Sequence, residues 1–95
     1  MSITRINEFE AKAGQEDTLR TLLQSILPVI EASDGCRACR LLQHRDEPTK
    51  IVVIEEWDSV EAHQASTKNI PPGVLQEAMT LLAAPPRGAY YQAGK

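Results

Sequence analysis

The chain has 95 residues, is 42% hydrophobic and 24% charged, and carries a formal net charge of −3 at pH 7. This length makes a single domain, residues 1–95, which buries only roughly 60–65% of its unfolded surface and gains from association. The acidic balance, with Arg37, Arg40 and Arg45 the only loose basic cluster, argues against nucleic acid and anionic membranes as partners. The opening MSITRINEFEAK has no apolar core of a signal peptide, and no apolar run approaches the ~18–20 residues of a membrane span. A cytoplasmic location is expected.

In chain order, residues 3–13 alternate Ile3, Arg5, Asn7, Phe9 and Ala11 against Thr4, Ile6, Glu8, Glu10 and Lys12, the pattern of a half-buried strand. Gly14 ends it. A helix follows over residues 15–33, with Glu16 and Asp17 favourably placed in its first turn. Leu19, Leu22, Leu23, Ile26, Val29 and Ile30 recur at three- and four-residue spacing and form its apolar face. Pro28 removes the bond to the Gln24 carbonyl, which predicts a kink. Asp34 and Gly35 then stop the helix.

Residues 36–45 form the second strand and residues 46–49, with Pro48, a turn. The third strand, residues 50–57, pairs back as a hairpin. Its run of Ile51, Val52, Val53 and Ile54 predicts a central strand buried on both faces. Asp58 or Ser59 caps a second helix that reaches residues 68–69 and carries His63. Ile70, Pro71, Pro72 and Gly73 interrupt the pattern. A third helix over 74–84 buries Val74, Leu75, Ala78, Leu81 and Leu82, and Pro85 and Pro86 stop it. A last strand at 87–92 sends Tyr90 and Tyr91 to opposite faces.

The order strand, helix, strand, strand, helix, strand is the βαββαβ pattern of a ferredoxin-like α+β sandwich with an antiparallel sheet. Helices cover one face of such a sheet, and two copies meeting face to face cover the other. A homodimer with a β-barrel-like centre is therefore expected. Cys36 and Cys39 lie three residues apart on a strand, roughly 10 Å, too far for a disulfide. With His44 and His63 the only histidines, no metal site is expected.

Three segments in this order resemble the antibiotic biosynthesis monooxygenase family of the dimeric α+β barrel superfamily. They are FEAKAGQEDTLRTLL, SDGCRACRLLQHRDEP and IVVIEEWDSVEAHQAS, and the likeness spans nearly the whole chain. The resemblance implies the same dimeric fold and a cleft between sheet and helices. It also implies cofactor-independent oxygenation of an aromatic or quinol-type small molecule by O₂, with no bound cofactor. A non-catalytic dimeric binding protein for a small hydrophobic molecule is the alternative. The family also includes haem-degrading enzymes, but Ser66 and Thr67 stand where their iron-ligating histidine lies.

Six residues are candidates for the site. Val53, Glu55 and Trp57 share one strand face. Trp57 is read either as the aromatic wall of a cleft or as a core residue locking strand to helix. His63, with an ordinary pKa of about 6.5, suits a general base. Asn7 supplies an orienting amide, on the same face as Arg5 and Phe9. Phe9, Val53, Glu55 and Trp57 are expected to bind substrate, and His63 and Asn7 to act in catalysis. If buried, Glu55 needs a partner, expected to be an arginine of the second strand or of a second copy. Two family positions differ: Ser66 stands in place of a histidine, and Val53 in place of an asparagine.

Overall fold

A computed structural model describes residues 2–94 of the chain. The elements are β1 (Ile3–Glu10), α1 (Glu16–Glu31), β2 (Cys36–Gln43), β3 (Lys50–Trp57), α2 (Val60–Ser66), α3 (Pro72–Thr80) and β4 (Arg87–Tyr91). A 3₁₀ turn at Thr67–Asn69 joins α2 to α3. The strands form one antiparallel sheet in the order β2-β3-β1-β4. This is the predicted ferredoxin-like arrangement.

β3 has its predicted bounds, whereas β1 is three residues shorter than expected. After Glu10 the chain is drawn off the sheet. Ala11 makes an isolated bridge to Leu82, and Gly14, at φ +83°, turns the chain into α1. α1 runs through Pro28 to Glu31. α3 starts at Pro72, earlier than predicted, because a proline in the first turn lacks only an N–H that has no intrahelical partner. It ends at Thr80, also early, since the Ala83 N–H donates to the Glu10 carbonyl at 2.8 Å and pulls the segment onto β1.

The helices lie on one face of the sheet. Leu19, Leu23, Ile26 and Ile30 of α1 pack into a core with Ile51, Trp57, Ala78 and Leu82. The predicted two-sided burial of β3 is not found within one chain. Ile51 and Val53 are buried, while Val52 and Ile54 are only half-buried, because they point away from the helices. On that open face lie Ile6, Val52 and Ile54, with Leu42 44% and Tyr91 52% exposed. Cys36 and Cys39 are free thiols, and burial pushes Cys39 up to about 12, so it stays protonated at neutral pH. Among the described residues no helix is long and apolar enough to cross a membrane.

Candidate functional site

The site is built on the register of two central strands. β1 and β3 pair so that Arg5 faces Glu55, Asn7 faces Val53 and Phe9 faces Ile51. Cross-strand partners share a sheet face, so these side chains all stand beneath the helices. β4 adds Gly88 opposite Asn7 and Tyr90 opposite Arg5.

α2 is set down over this surface by two local devices. Ser59 caps it, its Oγ accepting the Ala62 N–H at 3.1 Å. Gly35 lets it approach closely: a Cβ there would lie 2.7 Å from that of Ala62, and Gly35 adopts φ +88°. The Asp58 N–H also donates to the Gly35 carbonyl at 2.8 Å. The next residue along α2 is His63, which these contacts aim at the sheet.

A cavity of about 340 Å³ lies between sheet and helices, within the range of small-molecule sites. Arg5, Asn7, Phe9, Val53 and Glu55 form its floor, and Leu23, Ile26, Leu27 and Ile30 of α1 one wall. His63 and Ser66 come from α2, and Val74, Leu75, Ala78 and Met79 from α3. Leu75 is 45% and Met79 54% exposed, which places them at the mouth. The predicted burial of Leu75 is thus corrected: it faces the mouth, not the core.

Polar groups gather at one end. The Arg5 Nε–H donates to Asn7 Oδ1 at 3.0 Å, and Asn7 Nδ2 donates to Glu55 Oε2 at 3.1 Å. The Trp57 indole N–H donates to Glu55 Oε1 at 2.8 Å. His63 Nε2 lies 3.8 Å from that same oxygen, too far for a hydrogen bond but close enough for charge attraction. His63 Nδ1 is 2.6 Å from the Tyr90 hydroxyl, and the Arg5 guanidinium lies over the Tyr90 ring, 4.7 Å from its centroid. Gly88 leaves room for this arrangement: a Cβ there would come within 2.6 Å of Arg5 Cζ and of Asn7 Oδ1, so the guanidinium and the amide would have to shift.

Two pKa values move within the site. Desolvation raises that of Glu55, against the lowering effect of its bonds to Trp57 and Asn7 and of the Arg5 charge. Desolvation, and then Arg5, lower that of His63, so its imidazole is neutral at pH 7. A hydroxyl can donate or accept, so both His63 tautomers satisfy the bond to Tyr90. With Nδ1–H donating to Tyr90, Nε2 presents its lone pair toward the gap before Glu55.

Of the six sequence candidates, Asn7, Phe9, Val53, Glu55 and His63 line the cavity. Trp57 does not. It is wholly buried one layer behind, its ring edge-on to that of His63 at 5.4 Å between centroids. It backs the site through Glu55 and His63 and offers no stacking wall. Within the chain no arginine of β2 meets Glu55; Trp57 and Asn7 are its donors, with Arg5 of β1 the nearby cation. Ser66 lines the cavity, but its hydroxyl is bonded back to the His63 carbonyl at 2.6 Å. Arg5 is not a candidate from the sequence, and the sequence alone leaves Tyr90 open between the cavity mouth and the dimer seam. Their signal is the register of β1 with β3 and β4, which no local pattern encodes.

The family model described as antibiotic biosynthesis monooxygenase matches residues 2–79. Among solved structures, Rv0793 from Mycobacterium tuberculosis superposes with TM-score 0.86 at 21% identity, over 100% of this chain and 97% of that one. A mutant of SnoaB, a cofactor-independent oxygenase from Streptomyces nogalater, gives TM-score 0.82 at 18% identity, over 99% of this chain and 94% of that one. NE2512, a protein of unknown function from Nitrosomonas europaea, gives 0.84 at 26% identity, over 99% and 90%. The first two likenesses are of fold alone. No functionally curated protein gives a significant match.

Proposed function

The chain belongs to the antibiotic biosynthesis monooxygenase family, and from that premise we propose that it is a cofactor-independent monooxygenase. Its substrate is an aromatic or quinol-type small molecule, oxidised by O₂ in the cavity beneath α2 and α3. The observation that carries this reading is a neutral, desolvated His63 at the polar end of an otherwise apolar cavity.

In this mechanism His63 Nε2 takes a proton from an acidic C–H or O–H of the substrate. The imidazolium so formed lies beside Glu55, whose carboxylate 3.8 Å away stabilises it. Asn7 lines the cavity with one amide hydrogen left to orient the substrate oxygen, its other bond going to Glu55. Phe9 and Val53 hold the ring system, and Trp57 fixes Glu55 from behind. The electron-rich substrate anion then reduces O₂ itself and forms a peroxide at carbon. For an anthrone-type methylene, loss of water from that peroxide gives the ketone, so one CH₂ and one O₂ become one C=O and one H₂O. The apolar walls exclude bulk water from the anion.

We place the enzyme in the cytoplasm as a single-domain homodimer. Ile6, Val52, Ile54, Leu42 and Tyr91 of the open sheet face form the seam and close a β-barrel-like centre. A second reading, a non-catalytic binding protein, is favoured by one observation: Ser66 spends its hydroxyl on the backbone and adds no acid–base group. Oxygen uptake with a panel of anthrones and hydroquinones separates the two. Turnover supports the enzyme; binding without product, surviving His63→Ala, supports the binder.

A further inference from the structure

The charges around the cavity do not balance by direct pairing. Among the described residues Arg5 is the one permanent cation lining it, and Glu55 the one carboxylate. Yet Arg5 makes no salt bridge within 4.0 Å among the described residues. The only hydrogen bond from its guanidinium to a side chain is from Nε to Asn7 Oδ1. Both Glu55 oxygens are already held by donors, from Trp57 and Asn7. Arg5 is half-buried, so a guanidinium at the wall of this apolar cavity without a carboxylate partner gains from an anionic acceptor that enters beside it. The Arg5 guanidinium carbon lies 4.7 Å from the Tyr90 ring centroid, and its terminal N–H groups make no hydrogen bond to a side chain among the described residues.

We infer that Arg5 makes this cavity selective for amphipathic organic anions. The apolar body of the ligand lies among Phe9, Leu27, Ile30 and Val74, and its single anionic oxygen group, a carboxylate, phenolate or enolate, sits on the Arg5 fork. The inference rests on the proposed reading of the cavity as a small-molecule site and adds the charge of the molecule it takes. Arg5 thereby favours the ionised substrate, the form that reacts with O₂.

The test is calorimetric titration with 2-naphthoate and its neutral counterpart 2-naphthamide. The wild-type protein should bind the acid at least about tenfold more tightly than the amide, the scale of a charge-assisted bond. Arg5→Gln should lose that preference while its amide affinity is unchanged, which also reports an intact fold. Arg5→Lys, with the charge but not the fork, should fall between. If Arg5→Gln does not fold, salt decides: naphthoate affinity of the wild type must fall with ionic strength and amide affinity must not. Equal affinities in the wild type, or an equal loss of both compounds in Arg5→Gln, overturn the inference and leave the cavity reading standing. Binding of neither compound overturns both.

Discussion

Trp57→Phe should destabilise the protein by about 2.5–4 kcal/mol, and most of that loss should pass through Glu55. The indole is wholly buried, and its N–H meets Glu55 Oε1 at 2.8 Å. Losing a hydrogen bond to a buried carboxylate costs about 1.5–3 kcal/mol. The few ring atoms removed leave a small void worth about 1 kcal/mol more. A double-mutant cycle with Glu55→Met, measured by urea denaturation at one fixed protein concentration, separates the two terms. Packing is lost in either background, but the bond is lost only where Glu55 is present. The expected coupling is about 1.5–3 kcal/mol. Strict additivity of Trp57→Phe and Glu55→Met would refute the role given to Trp57 and reduce it to a core side chain.

Three further outcomes are expected. The folded-state pKa of His63 lies below its unfolded value of about 6.5, so its neutral form contributes stability that is complete above that pH and is lost as pH falls through the folded pKa. Relative to His63→Gln, the wild-type melting temperature should therefore drop on acidification below about pH 6.5, and a relative rise would contradict the burial argument. The acid limb of kcat/KM should likewise lie below 6.5. On the open sheet face, Ile54→Lys should convert the proposed dimer to a monomer in sedimentation at micromolar concentration; a dimer that survives the substitution would move the seam elsewhere, and a monomeric wild type would overturn the dimer.

Much of this fold is legible locally. β3 is bounded by Thr49 and Asp58, and its alternation fixes which side chains face the helices. Alternation assigns a side but not a depth. Trp57 shares its face with Glu55, yet lies behind the cavity because the start of α2 docks over it on Gly35. The partners of Glu55 and His63 are set by pairings between distant segments, Arg5 with Glu55 and with Tyr90. No local periodicity carries that register. The start of α3 was hidden for a different reason: Pro71, Pro72 and Gly73 read as a break, while Pro72 in fact opens the helix. The open face of β3 reads as buried because Val52 and Ile54 are aliphatic. In one chain they are half-exposed, and that mismatch is the physical argument for a second copy.

The most direct test of the account is oxygen consumption by the purified protein in chelator-treated buffer, with anthrone and hydroquinone substrates. Uptake above the spontaneous rate is expected for at least one compound, with one carbonyl product formed per O₂ from an anthrone. His63→Gln should slow it by about 10²-fold or more, the usual contribution of a general base. No uptake with any compound, or a rate unchanged in His63→Gln, would contradict it.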